Sequence, residues 1–596
     1  MLTRLPMRLF IALAVPLAVL ALHAAHYLPF IADDALISLR YADRLLAGHG
    51  LTWTAGEPVE GYSNLLWLLA CAGLGALGID LIDAVRILGL AGMGGAIVAL
   101  AWAFRSPAAT LGGGLFFALS GPIAVWAIGG LEQPFVAAGL AWTLALLARA
   151  GPEPWPRAAL KAGLPLAAVC LTRPDGPLFT IVFAGCLVVL GGLGRRRAWK
   201  AAIAFGLPSA VAVAGQLAFR LAYYGEWVPN TALLKAAQSR LDEGLTWVGD
   251  GLLALIPLLV CANLGLLAAV RRPEHRAVVV PALAGGVAWC LYVASVGGDI
   301  FPAWRHMVPL ITLLAFPTAV GFLSLSEGLQ RGQRLAVGAL SALVLAAFAQ
   351  GQLADEQNQR GLTERWEWDG LVIGHLLRDA FGDRDPYLAV TAAGCVPYFS
   401  GLRALDMQGL NDKHIARQPP VAKAMIAHDH GDGAYVLEKK PDLMIFGGAR
   451  GGPPKFVSGS QMRNMPAFRT GYRMVRFAGH KPHKAVSEPW IRLDGKLGIE
   501  VRPERITVPG YLFEGAVGVP TMGRGLKAGF IRGAQAAGPM VTVPSGHWRV
   551  EVDPPDAPVT ITGRGLVDGV ITGPTRVALT VNVLEGTTIN SVVLRP

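Results

Sequence analysis

Up to about Gln350 the chain reads as long apolar runs broken by short polar turns, and after it as mixed polar and apolar sequence. Eleven runs are candidates to cross a membrane: 9–30, 84–104, 107–128, 131–150, 157–172, 177–194, 198–222, 248–270, 277–297, 306–324 and 335–350. A spanning helix needs about 20 residues, so the shorter runs predict tilted or broken helices. The first run follows Arg4 and Arg8, is long enough to span, and enters Asp33 without a small-residue cleavage site. It therefore predicts an uncleaved first helix. With its start in the cytoplasm, the basic loops Arg195–Lys200, Arg271–Arg276 and Arg331–Arg334 all fall inside, as the positive-inside rule requires. That parity holds only if Leu65–Gly78 does not cross. The segment is then re-entrant or interfacial, and everything after the last span lies outside.

Beyond residue 350 no run could span. A helical stretch containing Trp366 and Trp368 precedes short strand-like runs such as Tyr387–Thr391 and Leu443–Phe446, which predicts a small α/β unit. Past Pro489 the runs His547–Asp553, Val559–Gly565 and Thr575–Val583 alternate as half-buried strands do. The expected fold is a polytopic α-helical membrane domain (1–350, about eleven spans), an external α/β domain (351–488) and a C-terminal β-sandwich (489–596).

Composition agrees. With 596 residues, 53% hydrophobic and 16% charged, and a mean hydropathy of +0.46, the chain has the make-up of a multi-spanning membrane protein. Its net charge of +11 does not imply nucleic acid as a partner, because much of the Lys and Arg sits in short loops where orientation accounts for it. Of six cysteines only Cys395 lies in the tail, and there is no disulfide framework or metal-ligand spacing.

Candidate chemistry starts at the end of the first run. Asp33 and Asp34 open the stretch Ile31–Asn64, and ionisable groups at a membrane edge are costly unless used. One reading makes Asp33 the N-cap of a helix through Ala35–Ala47; the other makes it a catalytic carboxylate. The same parity puts GGLEQP (Gly129–Pro134), TRPDG (Thr172–Gly176), Tyr223–Lys235 and Gly297–Pro309 on the outer side. Acids (Asp33, Asp34, Glu60, Glu132, Asp175, Asp299) and bases (Arg40, Arg173, Lys235, Arg305, His306) thus share one face. Basic groups there run against the orientation bias. An anionic ligand such as phosphate would explain them; so would pairing among the loops themselves.

These motifs, in this order, resemble the GT-C class of membrane glycosyltransferases. The first loop is similar to terminal arabinofuranosyltransferases of the mycobacterial cell wall in Ile31–Asp34, Leu45–Gly50 and Gly56–Glu60. Gly61–Trp67 resembles instead a broader set of bacterial relatives of unassigned sugar specificity, and Ala393–Arg417 extends the likeness into the tail. The resemblance implies an inverting enzyme that moves a sugar, arabinofuranose among the candidates, from a polyprenyl-phosphate donor to a cell-envelope glycan. The site would face the outer side of a bacterial inner membrane, in a monomeric multi-pass protein surrounded by membrane lipids. Asp33 or Asp34 would be the base, with Asp33 favoured. Arg173, Lys235, Arg305 and His306 would hold the departing phosphate. Arg40, Glu60, Tyr62, Glu132, Asp175, Asn230 and Asp299 would bind sugar or acceptor. No cofactor or metal is expected, although clustered carboxylates leave a divalent cation open. The tail would resemble a carbohydrate-binding module, with Tyr511, Phe513 and Trp548 as surface aromatics for sugar. The rival readings are a flippase of lipid-linked glycans and a non-catalytic envelope assembly protein.

Overall fold

The computed structural model describes residues 6–151, 155–235, 240–327, 329–421, 428–521, 525–530 and 533–596. It divides into two compact units. The first comprises Met1–Leu51, Tyr62–Pro229 and Gln238–Glu364; the second comprises Thr52–Gly61, Asn230–Ala237 and Arg365–Pro596.

The first unit is helical. It contains α1 (Met7–His26), α2 (Asp33–Leu46), α3 (Leu65–Ala76), α4 (Leu81–Phe104), α5 (Pro107–Leu119), α6 (Gly121–Ile128), α7 (Gln133–Ala150), α8 (Pro156–Thr172), α9 (Gly176–Gly191) and α10 (Arg196–Tyr224). After α11 (Asn230–Lys235), which belongs to the second unit, come α12 (Leu241–Ala254), α13 (Ile256–Arg271), α14 (Arg276–Ser295), α15 (Met307–Ser326), α16 (Arg331–Ala354) and α17 (Glu356–Thr363). Each of the eleven apolar runs is helical. Two are broken: α5 and α6 meet at a 67° bend and α12 and α13 at 78°. In both, proline follows the break, as Pro122 and Pro257, where it has no N–H to continue the preceding helix. Among the described residues six helices are long and apolar enough to cross a membrane, or eight if each bent pair is one span. That is fewer than the eleven expected, because α7, α8 and α9 are short or carry charge. The 12-residue α3 is likewise too short to cross.

Helix α15 is the hub, buried along 78% of its apolar window, whereas α10 and α16 are buried along only 17% and 11% of theirs. Their exposed Ile203, Val211, Leu335 and Leu343 suit contact with lipid chains. Close packing against the hub rests on small residues. A Cβ on Gly265 of α13 would fall 1.9 Å from the Pro317 carbonyl oxygen of α15.

Among the described residues the second unit holds three sheets. In the first, Ala404–Asp406, Leu388–Val390 and Leu443–Ile445 run parallel, and Trp490–Arg492 and Tyr472–Met474 extend it antiparallel. Ala389, Leu405, Met444 and Phe446 fill its core with Met462 and Phe468. The second sheet orders Thr588–Ile589, Leu526–Phe530, Ala516–Pro520, Arg476–Gly479 and Ala485–Ser487. The third is built on the long strands Ala534–Asp553 and Val570–Val583. Strands therefore cross the boundary expected near Pro489: Trp490–Arg492 belongs to the first sheet, while Arg476–Gly479 belongs to the second. One sequence expectation needs correction. Tyr511, Phe513 and Trp548 are all buried; apolar strand faces pack inward, so these rings are core and not platforms for sugar.

Two segments from the helical part of the sequence are built into this unit. The Ala404 N–H donates to Thr54 Oγ1 at 3.2 Å, and the Asn230 N–H donates to the Glu60 carbonyl at 3.0 Å.

Candidate active site

Helix α2 carries the paired acids. Its N-cap is Ala32, whose N–H donates to the Gly129 carbonyl at 3.0 Å. Asp33 is thus the first helical residue and not the N-cap, which corrects the capping expectation. It is 6% exposed; Asp34 is half-buried. Two carboxylates in a first turn are favoured by the helix dipole, and successive side chains diverge by about 100°, so the two acids face different surroundings. Gly130 lets the GGLEQP turn come this close: its φ is +86°, and a Cβ there would lie 2.7 Å from the Ala35 Cβ. The Trp67 indole fixes the same turn by donating to the Gly130 carbonyl at 3.0 Å.

From α2 a buried polar chain runs across four segments. Ser38 Oγ donates to Asn64 Oδ1 at 3.1 Å, and Asn64 Nδ2 donates to Glu132 Oε2 at 3.1 Å. Glu132 Oε1 then pairs with Arg173 Nη1 at 2.6 Å, and Arg173 grips Asp175 through Nη2 at 2.6 Å and Nε at 2.9 Å. The TRPDG turn places Arg173 and Asp175 two residues apart, which permits that fork. Arg173 thus answers to two carboxylates. Ser38 and Asn64 were not among the sequence candidates; the Asn closing GYSN was the available signal.

The turn between α14 and α15 gathers a second set. Asp299 receives Arg305 bidentately, Nε at 2.8 Å and Nη2 at 2.9 Å, and His306 Nε2 stands 3.8 Å from Asp299 Oδ2. The guanidinium lies over the Phe301 ring at 4.2 Å. Trp289 Nε1 donates to the His306 carbonyl at 2.5 Å. Ala303 and Trp304 between them have φ of 52° and 45°, a strained conformation costing about 1–3 kcal/mol for each residue.

Tyr62 sits among aromatics. Its hydroxyl is 3.0 Å from that of Tyr224, which donates to the Leu51 carbonyl at 2.9 Å, while the Leu51 N–H donates to Tyr223 at 3.0 Å. Tyr41 packs edge-on against Tyr62, and Arg40 of α2 is buried.

Glu60 and Asn230 belong to the second unit, and the side chain of Lys235 lies outside the described residues. Asn230 Nδ2 donates to the carbonyls of Gly409 at 2.8 Å, Asp412 at 3.0 Å and Leu410 at 3.3 Å. It is a clamp on the 409–412 turn. Asp406 organises that turn from within, accepting the N–H groups of Gln408 and Asn411 at 2.9 Å each and Asn411 Nδ2 at 3.0 Å. Burial nevertheless pushes its carboxyl up to about 6. Among the described residues no three His, Cys, Asp or Glu side chains converge to hold a metal ion.

Residues 353–493 match a family model described as "Domain of unknown function (DUF8728)". Over 374 residues, 53% of the chain, the protein is 30% identical to a terminal beta-(1->2)-arabinofuranosyltransferase of Mycobacterium tuberculosis. Over 398 residues it is 27% identical to the protein of the same name in Corynebacterium glutamicum. The chain spans 57% and 55% of the length of these two relatives. The resemblance read from the first loop is thereby borne out: the chain is similar to terminal arabinofuranosyltransferases over more than half its length. Among solved structures, ArnT from Cupriavidus metallidurans bound to undecaprenyl phosphate aligns with a TM-score of 0.48 at 13% identity, over 67% of this chain and 85% of that one. Mycobacterial arabinofuranosyltransferase AftD aligns with a TM-score of 0.45 at 12% identity, over 98% of this chain and 57% of that one.

Proposed function

We propose that this protein is an inverting membrane glycosyltransferase that moves a sugar from a polyprenyl-phosphate donor to a cell-envelope glycan at the outer face of a bacterial inner membrane. The observation that carries the reading is Asp33: a buried carboxylate opening α2, directly after the first apolar helix, in a chain 30% identical over 374 residues to an arabinofuranosyltransferase. The acceptor hydroxyl oxygen attacks the anomeric carbon as the bond from that carbon to the phosphate oxygen breaks. The hydroxyl proton passes to the carboxylate, and the lipid phosphate leaves with the bonding electrons. Asp33 is the favoured base, with Asp34 turned toward other partners. Arg305, balanced by one carboxylate and followed by His306, suits a departing phosphate better than Arg173, which two carboxylates already outweigh. Glu132 and Asp175 then serve the site by holding Arg173, and Asp299 by holding Arg305. Arg40 and Tyr62 are the remaining candidates for sugar or acceptor in the helical unit. The sharing of one compact unit by 52–61, 230–237 and the tail supports placing all three on the same side of the membrane.

The broken pairs α5–α6 and α12–α13 favour a second reading, a flippase of lipid-linked glycans, since discontinuous helices mark many transporters. A transfer assay with purified protein and a panel of polyprenyl-phosphate sugars, arabinofuranose included, separates the two. Release of polyprenyl phosphate that requires both an acceptor glycan and Asp33 is the expected result. Unchanged transfer by Asp33→Asn and Asp34→Asn, singly and together, would remove the catalytic assignment. Lipid binding without turnover for any donor would favour the flippase.

A further inference from the structure

The strained pair Ala303–Trp304 precedes Arg305 and His306 directly, and neither residue is of the type that tolerates a left-handed backbone well. Such strain persists only where the surroundings over-determine it. Here the surroundings are chiefly the junction of α16 and α17. Trp304 Nε1 donates to Asp355 Oδ1 at 2.9 Å, the Ala303 N–H donates to the Gln357 carbonyl at 2.8 Å, and Arg360 Nη2 donates to the Ile300 carbonyl at 3.0 Å. From the other side, Trp126 Nε1 reaches the carbonyls of Pro302 and Ala303, each at 3.2 Å. Asp355 Oδ1 also accepts the Asn358 N–H at 2.9 Å. One carboxylate oxygen therefore caps α17 and holds the indole.

The turn so held has a defined product. Asp299 takes the Nε and Nη2 edge of Arg305 and the Phe301 ring fixes the guanidinium plane, which leaves the Nη1 edge for a second acceptor. We propose that α17 is a strap that presents Arg305 and His306 to the donor's phosphate, with Asp355 as a positioning residue acting through Trp304. The strap rests on the phosphate role given to Arg305 above. No residue of α17 touches the ligand in this account; its contribution is to keep an otherwise unfavourable turn populated, so that the cation is in place before the lipid arrives.

Binding of decaprenyl phosphate to the purified full chain in nanodiscs tests this without requiring turnover. Arg305→Ala is expected to weaken binding by about tenfold or more, the loss of a charge-assisted contact. Asp355→Ala is expected to weaken it to a similar degree, and Asp355→Asn, which keeps an Oδ1 acceptor for both N–H groups, is expected to restore it. Trp304→Phe removes only the indole donor and keeps a ring beside Trp247, whose centroid is 5.1 Å away; it is expected to weaken binding as Asp355→Ala does, and it reads the same contact should Asp355→Ala fail to fold. Normal binding by Trp304→Phe and Asp355→Ala, with loss in Arg305→Ala, would overturn the strap and leave the phosphate reading standing. Failure of Asp355→Asn to restore binding would overturn it as well. If the wild-type protein binds no decaprenyl phosphate, or Arg305→Ala binds as well as wild type, the phosphate reading falls and the strap with it.

Discussion

Replacing Arg173 by methionine is the sharpest test of the buried polar chain. Arg173 is 12% exposed, and its partners Glu132 and Asp175 are 5% and 6% exposed. Each Arg–carboxylate attraction is of the order of 4 kcal/mol at the effective dielectric of about 20 that suits such sites, and the mutual repulsion of the two acids cancels part of the sum. Without the arginine, two buried carboxylates face each other uncompensated, and removing one partner from such a group costs about 3–5 kcal/mol. Glu132→Gln is different. It removes one attraction together with the repulsion, and its single amide oxygen can go on accepting from Arg173 Nη1 only by turning its NH2 toward Asn64, so about 1–2 kcal/mol is expected from the lost Asn64 hydrogen bond and the weakened contact to Arg173. Chemical unfolding in detergent, followed by tryptophan fluorescence, should therefore rank Arg173→Met far below Glu132→Gln. Adding Glu132→Gln and Asp175→Asn to Arg173→Met should recover much of the loss, a coupling that a mutant cycle reads directly. Arg173→Met with a native unfolding midpoint, or a loss in Glu132→Gln as large as in Arg173→Met, would refute the view that these charges act as one buried group.

Asp33→Asn should lower the turnover number by about 10²–10⁴-fold, the usual worth of a general base, with donor binding retained in a transfer and binding assay; Asp34→Asn should do less. In Asp406 burial raises the carboxyl pKa from 3.8 to about 6. The folded state therefore binds this proton more tightly than the unfolded chain does. Its contribution is full below pH 4 and declines by about 3 kcal/mol as pH rises through 6; denaturant titrations should show that slope in the wild type and not in Asp406→Asn. Asn230→Ala deprives three carbonyls of a donor and should cost about 1–3 kcal/mol, measured as earlier proteolysis of the 406–412 turn. Trp548→Ala should cost about 3–5 kcal/mol of stability as a core truncation and leave glycan retention on an affinity column unchanged.

The helices of all eleven apolar runs were legible in the hydropathy, because an apolar run of that length has no other way to satisfy its backbone in lipid. The breaks after Leu119 and Ala254 fall in runs of full spanning length, 107–128 and 248–270, and not in the short runs expected to break; Pro122 and Pro257 were the local signals for them. Strand runs such as Leu443–Phe446 and Thr575–Val583 were equally visible. Partnership was not. That Arg173 meets Glu132, 41 positions away, or that Asn230 clamps a turn some 180 positions downstream, leaves no local pattern. Charges read as ligand-binding and charges read as loop ties have the same composition, and only their distances tell them apart. The inward side of a β-rich tail was hidden for a similar reason: alternation shows that one face is buried without saying which aromatic lies on it.

The capture of Thr52–Gly61 by the second unit sets an order of events during synthesis. Thr54 and its hydrogen-bond partner Ala404 stand 350 positions apart. At translation rates of about 5–20 residues per second, roughly 20–70 s separate the emergence of the two. Through that interval the loop that follows α2 in the chain has been made while the surface that receives it has not. A ribosome stalled before residue 404 would leave a nascent chain with its helices synthesised and its loop undocked, a form open to proteases and chaperones that the finished protein would not present to them.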